Sequence, residues 1–423
     1  MKIIRRIVRC NRALACATLA FTASAHGGGT MFTEIGTSDL GLAGAGWAAR
    51  AQDASTLFTN PAGMSQLDGS QIQTGIQALW GEVQFGTDAG TSPQLADDGS
   101  GGNGLGSMPM ATFFYSHELS DQWSLGFGMF SYFGAALDYD NTWAGRYYVQ
   151  DDAMLGLSFM PAVSYQVNEW LSVGAGLNAM YGLMSIKKAV HTLTADDGRM
   201  ELQDSTWGFG ADIGLMFTPR EGTRIGITYL SQVDLDFSDT PEFSNLGRLG
   251  GALLASPSAL DLGVTVPQTV TVSIYHELNS KWALLGNVGW QDWSEFGKLE
   301  VGVDSANPKS FTQDVAYQDT WNAALGVQYR ASEEWMFSAG YAYDSSAVED
   351  ADRTVGNPMG ATHRFGIGSQ WMLNECTTLG AAYEYVWMGD LPTVQESNFR
   401  GNLSGKFEDA WLSFFNVSLT HRF

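Results

Sequence analysis

The residue types that most often perform catalysis or bind metals are present in this 423-residue chain, but not at the spacing that such chemistry needs. The six histidines show no metal-ligand spacing. A Ser-His-Asp set cannot be recognised from spacing, because serine occurs throughout the chain. The segment ADDGSGGNG, with Asp97, Asp98 and Asn103, resembles a calcium loop but lacks its terminal glutamate, which favours a solvated loop. We therefore expect no enzyme activity, no cofactor and no metal site.

A different set of residues is suited to binding apolar molecules. In segments that alternate with a period of two residues, the face expected to point inward carries large apolar side chains, where a channel for polar solutes would carry charges. Methionine is flexible and polarisable, and it suits a pocket that accepts varied apolar shapes. The residues of this set are Phe130, Tyr132, Met160, Met180, Met184, Ile186, Met216, Val386 and Met388. Packing as ordinary core is the alternative for each of them.

One connection is also unusually apolar. Residues 246–260, LGRLGGALLASPSAL, lie where a polar loop is expected. An exposed apolar patch on an exported protein indicates a surface that captures hydrophobic ligands. We assign Leu249, Leu253 and Leu254 to this surface. The alternative is a short helix that packs on neighbouring loops.

The alternating segments predict strands from residue 71 onward. Residues 225–237, 264–274, 321–330 and 411–423 each carry apolar residues at alternate positions. Six connections are very short, seven are long and polar, and the two kinds alternate strictly, as in bacterial membrane barrels with periplasmic turns and external loops. Seven loops and six turns connect fourteen strands, an even number that leaves no open edge. The turns are predicted near residues 120–121, 168–169, 219–222, 279–280, 332–334 and 374–375, and the loops near 86–108, 140–157, 188–205, 238–263, 298–318, 346–359 and 390–409.

Tryptophans repeat at the predicted turns. Trp123, Trp170, Trp282 and Trp335 each follow a turn, and would lie at one membrane interface, where amphipathic rings collect. The chain ends on Phe423 after alternating apolar residues, as barrels inserted into the outer membrane commonly do. Tryptophans at the strand starts of a soluble sheet are the alternative.

The amino terminus predicts export. Residues 1–25 contain five basic residues, then an apolar run and the cleavage site Ala23-Ser24-Ala25, which together indicate a signal peptide. No apolar run of 18 or more residues follows it, so no helix is expected to span a bilayer. The net charge of −23, which becomes more negative when the signal is removed, excludes a nucleic-acid-binding surface.

Residues 26–69 separate the predicted signal from the predicted strands. They are rich in glycine and alanine and alternate too poorly for a strand, and Arg50 and Asp53 argue against a spanning helix. Inward glycines on the strands would leave room for them. We predict an all-β fold in which residues 70–423 form a 14-stranded antiparallel transmembrane β-barrel. Residues 26–69, called the hatch below, would plug its lumen.

Several segments resemble the FadL/TodX family of outer-membrane transporters for long-chain fatty acids and other hydrophobic compounds. LGLAGAGWAARAQDASTLFTNPAGMSQL is similar to the family's amino-terminal hatch, and FGMFSYFGAALDYDNTWAGRYYV is similar to its third barrel strand and the following loop. STWGFGADIGLMF and TVPQTVTVSIYHELNSKWALLGNVGWQDWSEF resemble its middle strands. The resemblance covers essentially the whole mature chain, and its most specific part is the hatch.

The resemblance implies a transport route. A ligand would be captured at the outer loops, pass to an apolar pocket, and leave sideways through a kink in the third barrel strand after the hatch rearranges. Asn60, Pro61 and Ala62 match the hatch motif. The kink would lie at Ser131, Tyr132, Phe133 and Gly134, where the glycine weakens the ladder.

The resemblance also implies basic residues that meet a fatty-acid carboxylate. Lys187, Lys188, Arg224 and Arg364 are available, but Arg364 alone lies on a clearly inward position. We take Arg364 and Lys187 as the carboxylate-contact candidates. Because inward bases are few, a neutral hydrocarbon ligand remains open.

We expect passive transport of hydrophobic small molecules, either long-chain fatty acids or hydrocarbons, by a multi-pass barrel of the Gram-negative outer membrane. The expected partners are the hydrophobic ligand, outer-membrane lipids and lipopolysaccharide, with the protein acting as a monomer. The alternatives are a general porin for polar solutes, an outer-membrane lipid hydrolase, and a surface adhesin or phage receptor.

Overall fold

A computed structural model describes residues 31–192, 197–246, 259–304, 309–397 and 400–423. The predicted signal peptide, residues 1–25, lies outside these residues. So do Leu249, Leu253 and Leu254, the residues predicted to capture ligand.

Fourteen antiparallel strands form a closed barrel in the described part of the chain. The first and last of them close it, with pairing from Gln71↔Arg422 to Glu82↔Trp411. The barrel strands are β1 (Gln71–Glu82), β3 (Met108–Ser120), β4 (Trp123–Asp138), β5 (Asp151–Asn168), β6 (Leu171–Val190), β7 (Gly198–Arg220), β8 (Thr223–Leu230), β12 (Thr269–Glu277), β13 (Trp282–Gln291), β16 (Thr320–Arg330), β17 (Trp335–Asp344), β18 (Thr362–Asn374), β19 (Thr377–Gln395) and β20 (Leu403–Arg422). The predicted strand number and fold class are confirmed.

Six further strands lie at the end of the barrel that carries the long connections. The short strand β2 (Phe85–Thr87) pairs with β20, and β10 (Glu242–Ser244) pairs with β7. The other four form a separate sheet in the order β15-β14-β11-β9, called the outer sheet below. Its strands are β9 (Val233–Asp239), β11 (Ala259–Val266), β14 (Lys298–Asp304) and β15 (Lys309–Asp314).

The outer sheet corrects two sequence predictions. Residues 238–263 and 298–318 were expected to be polar loops, but both contribute strands to it. Residues 225–237 and 264–274 were expected to be continuous strands, but each is divided between the barrel and the outer sheet. Ile274 is exposed on the barrel wall whereas Val264 is buried in the outer sheet, although both belong to the same alternating set. Pro267 lies at this break, where its missing N–H cannot extend a ladder.

The outer wall of the barrel is apolar, with exposed residues such as Ile76, Leu325 and Ile367. The four predicted tryptophans lie at the end of the barrel with the short turns, three as the first residue of a strand and Trp170 one residue before β6. Each contacts a ring on the adjacent strand. The ring centroids are 4.6 Å apart for Trp123–Tyr165, 6.3 Å for Trp170–Phe217, 4.5 Å for Trp282–Tyr329 and 5.4 Å for Trp335–Trp371. This is the arrangement expected of an aromatic belt.

The hatch, described from residue 31, lies inside the barrel. It contains the short helices Thr37–Leu40 and Thr56–Thr59 and the 3₁₀ helix Pro61–Gln66. Two more short helices, Pro93–Ala96 and Trp293–Phe296, lie in the connections. Within the residues that the structure covers, no helix has the length and apolar character needed to cross a bilayer.

One apolar cluster joins the three parts of the molecule. It contains Leu57 and Phe58 of the hatch, Met180 of the barrel wall, and Leu235 and Phe237 of the outer sheet. Leu235 and Phe237 pack over Gly182 on the inner face of β6. The outer sheet therefore covers part of the lumen from one end, while the hatch fills it.

Candidate functional site

The hatch packs directly on the backbone of the barrel wall at glycines. A Cβ atom at Gly226 would overlap the carbonyl oxygen of Ala48, and one at Gly340 would overlap that of Leu42. Gly366 approaches the Leu40 carbonyl in the same way. These wall positions therefore need glycine because hatch backbone occupies the space of a side chain.

Not all of the inward glycines predicted to make room for the hatch do so. Gly126, Gly128, Gly174, Gly366 and Gly368 contact hatch atoms. The space beside the other three is filled differently: Gly176 lies against the Met160 side chain, and Gly208 and Gly210 lie against the segment that leads into the outer sheet.

Asn60 is the residue of the hatch motif with the most hydrogen bonds. Its Nδ2 donates to the carbonyl oxygens of Ala48, at 2.7 Å, and Leu215 of β7, at 3.0 Å. Its Oδ1 accepts from the N–H of Ala62 at 3.0 Å, which caps the 3₁₀ helix. The side chain is fully buried. Asn60 therefore fixes the fold of the hatch and attaches it to the wall.

The other two motif residues continue this attachment. Pro61 is the first residue of the 3₁₀ helix, where a missing N–H costs nothing. The carbonyl oxygen of Ala62 accepts from the hydroxyls of Ser164 on β5, at 3.2 Å, and Ser172 on β6, at 3.0 Å. In this conformation the motif is anchored to three neighbouring strands.

We expect Asn60→Asp to loosen the hatch. The carboxylate keeps the capping acceptor but removes both Nδ2 donors, and it faces two buried carbonyl oxygens that then lack a partner, at a cost of about 1–3 kcal/mol for each unsatisfied group. Limited proteolysis of the purified barrel should cut the hatch faster than in the wild type. Asn168→Asp, at the exposed end of β5, is the control. Equal protection of the two variants would show that Asn60 does not anchor the hatch.

A buried ion pair lies within the hatch. Arg50 Nη2 is 2.5 Å from Asp39 Oδ1, and both side chains are almost fully buried. Burial raises the pKa of Asp39 to about 6 from its usual value of 3.8, and the Arg50 guanidinium opposes this rise. The pair offsets the cost of an isolated buried charge, as buried pairs do.

The barrel wall has an opening between β3 and β4. The pairing of these strands ends at Phe113↔Met129. Beyond that point, the only barrel strand that pairs with residues 108–112 of β3 is β1, and the only one that pairs with residues 130–138 of β4 is β5. The N–H of Asp138 donates to the Gly104 carbonyl at 2.9 Å, which limits the opening on its outer side. We call this unpaired stretch the window.

The residues predicted to form the kink lie along the window. The register of β4 against β5 shifts between Phe130 and Phe133, so that Ser131 and Tyr132 together face Leu157. Two residues opposite one define a β-bulge, which bends a strand. Phe133 and Gly134 belong to the pairing that resumes beyond it, with Gly134 opposite Leu155. The bend is therefore centred on Ser131 and Tyr132 rather than on the glycine.

The first described residues of the hatch line the inner side of the window. The N–H of Phe32 donates to the Tyr132 carbonyl at 2.8 Å, and Met31 forms an isolated antiparallel bridge with Phe133. The Phe32 ring packs edge-on against Phe414 of β20 at 5.8 Å. A short stretch of chain thus takes part of the place of the missing β3–β4 pairing.

The same hatch residues separate two cavities. The first, called the main cavity below because it borders both the hatch and the barrel wall, has a volume of about 140 Å³ and an apolar wall that includes Val83, Leu137 and Phe414. A second cavity, of about 50 Å³, contains Phe58 and Tyr132. Met31, Phe32 and Thr33 line both cavities. These three residues therefore lie between the two cavities.

The structure brings only some of the predicted ligand residues to the main cavity. Val386, Met388 and Arg364 line it, and Tyr132 lines the second cavity. The remaining wall residues pack in the cluster shared by hatch, wall and outer sheet: Phe130, Met160, Met180, Met184 and Ile186. Met216 is buried beneath the hatch against Ala51 and Ala62. In this conformation these side chains therefore pack as core between the hatch, the barrel wall and the outer sheet.

Several residues of the main cavity were not found from the sequence. Trp293, Asn357 and Met359 come from connections between strands, and Glu34 comes from the hatch. None belongs to a periodic segment, so no alternation could indicate where its side chain points. Asp344, the last residue of β17, could have been predicted from the sequence, because it lies two positions after the inward-facing Ala342 and points to the same side of the strand.

Arg364, on β18, is surrounded by acids. Its Nη1 donates to Glu34 Oε1 at 3.1 Å and to the Thr33 hydroxyl. Its Nη2 donates to Asp344 Oδ1 at 3.1 Å, and Asp344 Oδ2 lies 2.9 Å from Nε. A third carboxyl, of Glu384 on β19, lies 4.0 Å from Nη1. The guanidinium is buried, with 9% of its side chain exposed.

The other predicted carboxylate contact lies elsewhere. Lys187, near the outer end of β6, forms an ion pair with Asp151 of β5 and is absent from the lining of both cavities. The structure therefore does not bring Lys187 and Arg364 together.

Comparison with known proteins identifies the family. Residues 17–423 match the model of the family described as outer membrane protein transport protein (OMPP1/FadL/TodX). The chain belongs to this family. Its members are transport channels of the outer membrane rather than enzymes, and they carry fatty acids and hydrophobic aromatic compounds. The resemblance noted from the sequence is confirmed, and the protein is a multi-pass β-barrel of the outer membrane.

Individual members of the OMPP1/FadL/TodX family support this placement. The chain is 27% identical over 400 residues to outer membrane protein P1 of Haemophilus influenzae, covering 83% of this chain and 86% of that one. It is 25% identical over 405 residues to the long-chain fatty acid transport protein of Escherichia coli O6:H1, covering 88% and 90%. Both matches run through most of each chain.

Solved structures of the family share the fold. A Pseudomonas aeruginosa FadL homologue superposes with a TM-score of 0.84 at 19% identity, covering 93% of this chain and all of that one. The toluene transporter TodX of P. putida superposes with a TM-score of 0.66 at 16% identity, covering 89% and 98%.

Proposed function

We propose that this protein carries hydrophobic small molecules passively across the outer membrane and releases them sideways through the window. The observation that carries the proposal is the shared wall of cavity and window. Met31, Phe32 and Thr33 line the main cavity, and Met31 and Phe32 also bind the edge of β4. Movement of one short segment would therefore connect a bound ligand to the wall opening.

A sideways exit suits an apolar cargo. A ligand that passed along the barrel axis would meet water at the far end, at a cost of about 0.8 kcal/mol for each exposed CH₂ group. A ligand that leaves through the window enters the hydrocarbon of the bilayer, which the apolar outer wall contacts. The hatch blocks the axial route, since its backbone packs on the wall at Gly226, Gly340 and Gly366.

Capture at the outer end is the first step of the proposed route. Leu249, Leu253 and Leu254 are proposed to take the ligand from the outer surface. Leu235 and Phe237 of the outer sheet belong to one apolar cluster with Met180 and Met184 of the barrel wall. We propose that a ligand passes along this cluster, with its methionines adapting to its shape, before it reaches the main cavity.

We propose that the protein acts as a monomer, with its outer wall against outer-membrane lipids and lipopolysaccharide. The closed ladder between β1 and β20 supports this, because neither the first nor the last strand is left free to pair with another subunit.

Uptake by cells tests the proposal. The protein would be expressed in a Gram-negative host that lacks its own member of the family, and the uptake of labelled toluene, dodecanol and dodecanoate would be compared with that of a disaccharide. We expect faster uptake of at least one hydrophobic compound and no change for the disaccharide. Faster disaccharide uptake would instead indicate a general porin. Hydrolysis of an ester substrate by the purified protein would indicate a lipid hydrolase.

A further inference from the structure

We propose that the main cavity selects uncharged apolar ligands of about the size of one aromatic ring and excludes carboxylates, because the protein's own acids already occupy its only base. This proposal rests on the proposed transport function and specifies its cargo. "Only" refers to the lining residues that the structure describes, in which Arg364 is the single lysine, arginine or histidine.

The guanidinium of Arg364 is already in contact with acids of the protein. A guanidinium has five N–H donors. Nη1 donates to Glu34 and Thr33, and Nη2 donates to Asp344 Oδ1. Nε lies 2.9 Å from Asp344 Oδ2 but donates no hydrogen bond. An incoming carboxylate would therefore have to share the guanidinium with two carboxylates that are already in contact with it.

The charge balance also disfavours an anion. Three carboxyl groups, of Glu34, Asp344 and Glu384, lie within 4.0 Å of one guanidinium. The cluster carries net positive charge only if all three are protonated. A further carboxylate in the same water-poor space would meet like charges, which disfavour its ionised form.

A ligand carboxylate could also reach Arg364 by replacing Glu34, but the backbone contact of Glu34 opposes this exchange. The backbone carbonyl of Glu34 accepts from Gln77 Nε2 of β1 at 2.9 Å. The glutamate would therefore remain near the cavity after displacement. A buried carboxylate left without its partner is strongly destabilising.

The rest of the cavity fits a compact neutral molecule. Its apolar side is formed by residues such as Phe32, Leu137, Val386 and Phe414, and its volume is about 140 Å³. An engineered apolar cavity of about 150 Å³ binds benzene, whereas sites for drug-sized ligands span about 300–1,000 Å³. The resting cavity thus has room for one ring but not for an extended acyl chain.

The test is a binding measurement on the purified full-length mature protein with matched neutral and anionic probes. Toluene and benzoate share a ring, and dodecanol and dodecanoate share a chain. At pH 7.5 both acids are ionised, since ordinary carboxyl groups have pKa values near 4. We expect toluene to bind and benzoate to bind at least about tenfold more weakly, as measured by equilibrium dialysis. Equal binding of toluene and benzoate by the wild type would overturn the proposal without any variant being needed.

Two variants then locate the selectivity. Glu34→Gln and Asp344→Asn each remove one acid from Arg364, so both are expected to raise the affinity for benzoate relative to that for toluene. Asp390→Asn is the control, because Asp390 pairs with Lys406 in an exposed ion pair that does not line the cavity. Unchanged benzoate affinity in both acid variants would also contradict the proposal.

The outcomes separate this inference from the transport function. If dodecanoate binds and is taken up as well as dodecanol, the selectivity fails while transport of hydrophobic molecules stands. If no hydrophobic probe is bound or taken up, both fail.

Discussion

Alanine at Gly226 or Gly340 is expected to displace the hatch while the barrel stays folded. The new methyl group would overlap the carbonyl oxygen of Ala48 or Leu42, which are backbone atoms and cannot rotate away as a side chain can. The wall strands are hydrogen-bonded on both sides, whereas the hatch is held by scattered contacts, so the hatch should move. We expect rapid proteolysis within residues 31–69 and new passage of hydrophilic solutes in a liposome-swelling assay.

The matched control is Gly86→Ala. Gly86 lies on the short strand β2, and the nearest atom to its added Cβ would be the Lys406 carbonyl oxygen at 3.9 Å, an ordinary contact. Heat-modifiable migration on gels would verify that each barrel is folded. If the hatch of Gly226→Ala resists protease as well as the hatch of Gly86→Ala does, the claim that the hatch needs these glycines in order to pack on the wall is wrong.

Deletion of Tyr132 is expected to close the window and abolish uptake of the hydrophobic cargo. At present Ser131 and Tyr132 share Leu157 as a partner. Removing one residue restores one-to-one pairing, straightens β4, and allows it to pair with β3 beyond Met129. Residues on both sides of the deletion still point to the same faces of β4 as before, because Phe130 and Phe133 are then two positions apart.

Tyr132→Ala separates the bend from the ring. It keeps the bulge but removes the phenol, whose hydroxyl accepts from Asn178 Nδ2 at 2.8 Å. We expect this variant to retain most of the uptake that the deletion loses, as measured in whole cells with equal amounts of folded barrel. Wild-type uptake in the deletion variant would rule out exit through the window and favour release along the axis.

The strand number could be predicted because its signals are local. Alternation with period two and the sequence of short turns and long connections are both readable within a few residues. The six predicted turns, for example at residues 168–169 and 374–375, lie between barrel strands in the structure.

The outer sheet could not be predicted because it depends on pairing between distant connections. Strand β11 pairs with β14, from a connection two barrel strands later. Alternation continues from Tyr229 to Phe237 with the same parity, yet Tyr229 is exposed on the wall and Phe237 is buried. Period two shows which residues share a face, but not which sheet that face belongs to.

The site was only partly predictable for a related reason. Inward parity identified Arg364, but its partner Glu34 is 330 residues away, in a segment without periodicity. The alternation of the strands also identified Met180 and Met216 as residues that point inward. Whether such a residue lines a cavity or packs as core depends on what else occupies the lumen, which no single strand encodes.

The position of the hatch bears on how the barrel closes. The first and last strands, β1 and β20, meet along twelve residue pairs. The hatch binds both of them from inside: the N–H of Ser55 donates to Gln73 Oε1 on β1 at 2.9 Å, and the Thr37 hydroxyl donates to Asn416 Oδ1 on β20 at 2.7 Å. The contact between β1 and β20 is thus held by the hatch as well as by the hydrogen bonds between the two strands. The segment that obstructs the pore of the folded protein therefore also reinforces the contact between the first and last strands, which closes the barrel.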